Sequence, residues 1–141
     1  MNIELDMHTH TLASGHAFST LQEMAKAGAE KGLKLLGITE HTPAIPGTWE
    51  PIYFRNLHVV PQQMYGIELM LGAEINILDG EGNLDADEEL MRRLDIRIAG
   101  IHLLCYKHGT KEENAWDGSR HPSSLHSDDQ SSGGWYSSAR L

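Results

Sequence analysis

The chain has 141 residues, 40% of them apolar, a formal net charge of −9 and one cysteine, Cys105. The length suits one ordinary domain, and the acidic balance argues against a nucleic-acid partner, which calls for a basic face. A single thiol excludes an intramolecular disulfide, no stretch approaches the roughly twenty apolar residues of a membrane span, and Met1-Asn2-Ile3-Glu4 lacks the parts of a signal peptide, so a cytoplasmic location is expected.

Ile3-Glu4-Leu5 reads as a strand running into Asp6-Met7-His8-Thr9-His10, with His16 a little further on. Residues i and i+2 of an extended strand point to one face, so His8 and His10 can close on one cation from the same side. Neutral imidazole suits zinc, iron or nickel better than calcium or magnesium. Ser19-Thr20-Leu21-Gln22 fits a capping box with Ser19 at the N-cap and Gln22 at N3. Leu21, Met24, Ala25 and Gly28 then follow at the spacing of one helix face, and Gly32 is a natural stop. Leu33 to Thr39 reads as a buried strand ending at Glu40-His41. Thr42 to Pro61 reads as a long loop with a short helical turn, of a length that suggests a lid.

Ile67 to Glu74 is a third strand, and Asp79-Gly80-Glu81-Gly82-Asn83 a turn. Asp85 to Leu94 is a short helix in the acidic-then-basic order that the macrodipole favours. Asp95 to Leu104 is a fourth strand, with His102 near its end. The alternation implies an α/β fold with a parallel sheet and crossover helices. His8 and His10, then His41, Glu74 and His102, each come at the carboxyl end of a successive strand, where such folds place their chemistry. Bound dications would also reverse locally the sign of an acidic surface that otherwise repels anions.

Asp6-Met7-His8-Thr9-His10, His16, Ile38-Thr39-Glu40-His41, Gly72-Ala73-Glu74-Ile75-Asn76 and Ala99-Gly100-Ile101-His102 together resemble the PHP family (polymerase and histidinol phosphatase domains), closest to its small bacterial phosphatase-like branch. The resemblance covers residues 1–114. It implies the N-terminal part of a distorted (β/α)7, TIM-like barrel, and phosphomonoester hydrolysis at a centre of up to three zinc ions, with manganese or iron in some members. By position it implies one metal site of His8, His10 and Glu74, a second in which Glu74 bridges to His102, and a third of His16 and His41. Glu74, His8 and His10 are the implied catalytic residues. Asp6 is implied to orient a ligating imidazole, and Glu40, which stands where many relatives have Asp, to support its neighbour. The implied substrate is a small phosphorylated metabolite.

Residues 115–141 depart from the resemblance. Ala115-Trp116-Asp117-Gly118 stands where relatives have an amphipathic helix, and the remainder is rich in Ser and Gly, the composition of flexible coil. A frameshift after about Asn114 would account for it; a natural disordered tail is the alternative, and His121 and His126 are weak substitutes for ligands that relatives carry further on. A barrel of this type takes about 200 residues or more, so the chain is expected to be incomplete, with strand four as an open edge through which it self-associates. Three other readings use the same residues: a phosphodiesterase or exonuclease, a non-catalytic metal-binding remnant, and an amidohydrolase-type centre. His58, His108, Glu88-Glu89 and Glu112-Glu113 read as structural or solvated. Trp49 and Tyr53 read as packing before pocket lining, and Cys105 as a buried thiol.

Overall fold

A computed structural model gives the fold and describes residues 3–110. The boundary expected at 114, the tail 115–141 and its two histidines lie outside the described residues. Along the chain come β1 (Leu5–Thr9), a short 3₁₀ turn (Leu12–Ser14), α1 (Leu21–Glu30), β2 (Leu35–His41), α2 (Pro51–Arg55), a second 3₁₀ turn (Leu57–Val59), β3 (Gln63–Met64), β4 (Ile67–Ile77), α3 (Glu88–Arg93) and β5 (Ile96–Ile101). The strands β1, β2, β4 and β5 pair in parallel in that order, and β3 pairs antiparallel with the start of β4. The result is an α/β fold whose parallel sheet curls into half a barrel.

Two faces of this sheet divide the work. In β4, Leu69, Leu71, Ala73 and Ile75 alternate onto one face and join Leu36 and Ile38 of β2, Met24 and Ala25 of α1, and Leu90 of α3 in a single apolar core. Period-two alternation puts Gly72, Glu74 and Asn76 on the other face, and the register His41↔Glu74 and Glu74↔Ile98 aligns the strands on either side. Glu40 falls on the core face with no exposure.

Several expected boundaries move, each for a local reason. The cap of α1 is Thr20 with Glu23, one residue later than Ser19 with Gln22. Glu23 Oε2 accepts the Thr20 N–H at 2.7 Å and the Thr20 hydroxyl at 2.8 Å, and Thr20 Oγ1 accepts the Glu23 N–H at 3.2 Å. A carboxylate makes stronger hydrogen bonds than the Gln22 amide and suits the positive helix end. β4 continues past Glu74 to Ile77 because β5 pairs with it that far, so Glu74 lies inside its strand. β5 stops at Ile101, leaving His102 just beyond.

α3 starts at Glu88 because Asp87, and not Asp85, caps it. Asp85 is occupied elsewhere: it accepts from the Thr42 hydroxyl (2.6 Å), the Ala44 N–H (2.9 Å), the Asn76 N–H (2.9 Å) and Asn76 Nδ2 (2.7 Å), pinning the ends of β2 and β4 together. The segment 42–61, expected as a loop with a short helical turn, holds α2 and the second 3₁₀ turn, and its Phe54 and Leu57 are 1% and 6% exposed within the core. The β3–β4 hairpin was not anticipated; its turn residues Tyr65 and Gly66 both have positive φ, 51° and 85°, as a type I′ turn demands. Among the described residues no helix is long and apolar enough to cross a membrane.

Candidate metal centre

The first ligand pair is delivered by an irregular strand. In β1 the register with β2 runs Leu5↔Leu35 and Asp6↔Leu36, then slips to Thr9↔Ile38. Three residues of β1 therefore span two of β2, a bulge that is rare between parallel strands. Past it, Thr9 lies opposite the core residue Ile38, which turns His8 and His10 to the face shared by His41 and Glu74. Thr9 and Thr39 lock the bulge: Thr9 Oγ1 donates to the Gly37 carbonyl at 2.7 Å and Thr39 Oγ1 to the Thr9 carbonyl at 3.3 Å. The slip also separates Asp6 from the imidazoles. Asp6, expected to orient a ligating imidazole, accepts the His8 backbone N–H at 3.2 Å and, among the described residues, has no hydrogen bond to a ring.

His8, His10, His16, His41, Glu74 and His102 all converge. Three overlapping triads form: His8, His10 and Glu74; His41, Glu74 and His102; and His10, His16 and His41, with the ligand atoms of each within 4.8 Å of one another. Glu74 is the hub. Its Oε2 lies 3.1 Å from His8 Nε2, 3.2 Å from His10 Nε2 and 3.2 Å from His41 Nδ1, and its Oε1 lies 3.2 Å from His102 Nε2. The expected grouping differs in one respect: His10 and His41 each belong to two triads. Gly100 keeps the hub open, since a β-carbon there would sit 2.9 Å from Glu74 Oε1 and 2.9 Å from His102 Cε1.

The first triad has the shape of a cation site. His8 Nε2 and His10 Nε2 lie 3.2 Å apart, and with Glu74 Oε2 they form a triangle of edges 3.2, 3.1 and 3.2 Å. Four ligands at zinc distances of about 2.0–2.1 Å in a tetrahedron have edges of about 3.3 Å. The edges of the triangle are close to those of one face of such a tetrahedron. Two buried imidazole nitrogens, His41 Nδ1 and His102 Nδ1, have no hydrogen-bond partner; His41 Nδ1 is near Glu74 Oε2 but not aligned for a hydrogen bond. Buried polar atoms without partners are rare in folded proteins; of these two, His41 Nδ1 faces Glu74 Oε2, and a dication there would satisfy it, whereas His102 faces Glu74 through Nε2.

Electrostatics keep Glu74 ionised and His41 neutral, the ligating form of each. Burial alone would raise the Glu74 carboxyl, but the imidazoles of His10, His102 and His8 set against it, and then His41, override it and hold Glu74 far below the usual carboxylate range. His41 is pushed down to about 4, chiefly by burial; Glu74 opposes the shift, and His10, His102 and His16 add to it. A neutral imidazole is the form that binds metal.

Behind the ligands lies a layer that the sequence reading missed in part. Ser14, 1% exposed, places its hydroxyl oxygen 2.8 Å from His10 Nδ1. Glu40 touches no imidazole directly and accepts from Thr11 N–H (3.0 Å), Thr11 Oγ1 and Ser14 Oγ. The available signal was the hydroxyl pair Thr11 and Ser14 directly after the histidine pair. Of the residues read as bland, His58 is exposed, with Nδ1 2.8 Å from the Arg55 carbonyl. Tyr53 packs between Trp49 and Phe54. Cys105, half-buried, has Sγ 3.6 Å from the His102 carbonyl, with burial and then Asp85 pushing the thiol up.

A family model described as PHP domain matches residues 6–126. The chain is 49% identical over 114 residues to a probable phosphatase of Clostridium novyi, a span covering 81% of this chain and 47% of that protein. It is 47% identical over 107 residues to one of Thermoanaerobacter pseudethanolicus (76% and 44%), and 46% identical over 114 residues to one of Acetivibrio thermocellus (81% and 47%). The chain spans about half the length of the curated relatives it matches.

Proposed function

The chain belongs to the PHP domain family, and on that premise we propose that it carries the N-terminal part of a (β/α)7-type metal-dependent phosphoesterase that hydrolyses phosphomonoesters. The observation that carries the reading is the triangle of His8 Nε2, His10 Nε2 and Glu74 Oε2, each edge 3.1–3.2 Å. His8, His10 and Glu74 hold one dication, Glu74 bridges to a second with His102, and His16 and His41 hold a third. The donor set of imidazole and carboxylate fits zinc, with manganese or iron as substitutes. When bound, such ions supply hydroxide near neutral pH and clamp the phosphoryl oxygens.

The protein's own part is to fix this geometry and keep His41 neutral. Glu74, ionised by its neighbours, holds two ligand positions with its two oxygens. His8, with 45% of its side chain exposed, and the exposed His16 mark the open side from which substrate enters. The substrate is a small phosphorylated metabolite, since a net charge of −9 disfavours long polyanions. The cytoplasm is the compartment this reading favours. Self-association is part of the proposal: Ala99 and Ile101 on β5, with Leu103 and Leu104 after it, are exposed among the described residues.

The test is hydrolysis of p-nitrophenyl phosphate and of its bis-ester by protein reconstituted with zinc or manganese, beside metal analysis. Turnover of the monoester alone is expected. Turnover of the bis-ester alone would replace the reading with a phosphodiesterase. Metal bound without turnover of either would leave a metal-binding remnant.

A further inference from the structure

Ser14 touches three of the converging histidines through two of its atoms. Its hydroxyl oxygen lies 2.8 Å from His10 Nδ1 and accepts the His41 backbone N–H at 3.0 Å. Its carbonyl oxygen lies 3.0 Å from His16 Nδ1. A hydroxyl has one proton to donate and two lone pairs with which to accept. The proton is taken by Glu40 Oε2 at 2.5 Å, because a carboxylate only accepts.

The two remaining lone pairs then receive the His41 N–H and a proton on His10 Nδ1. His10 is thereby an Nδ1–H tautomer with its lone pair on Nε2, the atom 3.2 Å from both His8 Nε2 and Glu74 Oε2. At His16 the argument is shorter: a carbonyl only accepts, so Nδ1 carries the proton there too. Glu40 is itself oriented by Thr11, whose N–H and hydroxyl both donate to it.

We propose that Ser14, its proton aimed by Glu40, is the positioning residue that sets His10 and His16 as Nδ1–H tautomers and so presents both Nε2 lone pairs to metal. The purpose of this device rests on the metal-centre reading above. Replacing Glu40 by glutamine would invert it at one ring. The amide oxygen, in place of Oε1, keeps the Thr11 hydroxyl bond and the 3.2 Å Thr11 N–H bond, while the 3.0 Å bond to Oε2 is lost; the amide NH₂ donates to Ser14, the Ser14 proton turns to His10 Nδ1, and the His10 proton moves to Nε2, where it blocks ligation.

The experiment is nitrogen-15 NMR of the imidazoles in the metal-free full chain at about pH 8, where ordinary histidines are neutral, with zinc titrations alongside. Wild type is expected to show Nδ1–H at His10 and His16. Ser14→Ala should mix the tautomers of His10 and leave His16 unchanged, because the carbonyl remains. Glu40→Gln should invert His10 alone. Zinc affinity should fall by about 10–100-fold in both variants. An Nε2–H His10 in wild type overturns the proposal even if neither variant folds. Equal zinc affinity and unchanged tautomers in Ser14→Ala overturn it as well. Wild-type tautomers as stated, in a protein that binds no zinc, would overturn the phosphoesterase reading and not the hydrogen-bond assignment.

Discussion

Met7 crosses Gly37 so closely that a β-carbon on the glycine would lie 2.7 Å from the Met7 carbonyl oxygen and 2.8 Å from its Cα. Both neighbours are backbone and neither can swing aside. The glycine therefore gives the β1 bulge its room, and the bulge turns His8 and His10 toward Glu74. Gly37→Ala should cost about 1–3 kcal/mol of stability, the usual range for overpacking, and should lower bound zinc together with it. A denaturant melt beside metal analysis checks both. Unchanged stability and metal content would remove the bulge from the explanation of the site.

Glu74 is within 3.2 Å of four imidazoles, whereas His16 belongs to one triad. Glu74→Ala should empty two metal positions and abolish turnover; His16→Ala should empty one. Metal per chain, measured after dialysis, separates the two. Equal metal content in wild type and Glu74→Ala would refute the bridging role.

How legible was this in the sequence? The spacing of His8 and His10 sufficed for their shared face, and the strand–helix rhythm for a parallel sheet, because both follow from local backbone geometry. Asp6 was misplaced for an equally physical reason. Its face depends on a bulge whose space is made by Gly37, a residue of another strand. Asp85 read as helix because its true partners, Thr42 and Asn76, are fixed only by the pairing of β2 with β4. The contacts of Glu40 were not legible, because they run through Ser14, whose hydroxyl comes under His10 only once the 3₁₀ turn Leu12–Ser14 forms.

Tyr53 lies half-buried with its ring 5.4 Å from Trp49 and 5.3 Å from Phe54. Burial pushes its phenol up, the Glu40 charge adds to this, and a hydrogen bond with Thr11 offsets only part. Above the ordinary tyrosine value of about 10, the unfolded chain gives up this proton while the folded chain keeps it. The folded state then binds more protons, so stability is unaffected below that pH and falls as pH rises through it. Urea midpoints measured between about pH 9 and about pH 11 should drop more steeply for wild type than for Tyr53→Phe. Parallel curves would show that the phenol ionises as freely in the folded state as in the unfolded chain.

Tyr65 sits at φ 51° in the turn between β3 and β4, a left-handed conformation that Asn and Gly adopt far more readily. The residue is 57% exposed, so little packing offsets the strain. A bulky residue held there costs on the order of 1–3 kcal/mol. Tyr65→Asn should recover part of this, about 0.5–1 kcal/mol, as a higher urea midpoint with no change in metal content. The same substitution placed at Tyr53, where the ring is packed against two aromatics, should lower the midpoint instead. A fall in stability at Tyr65 would mean that the hairpin depends on contacts of the ring and not on the backbone of its turn.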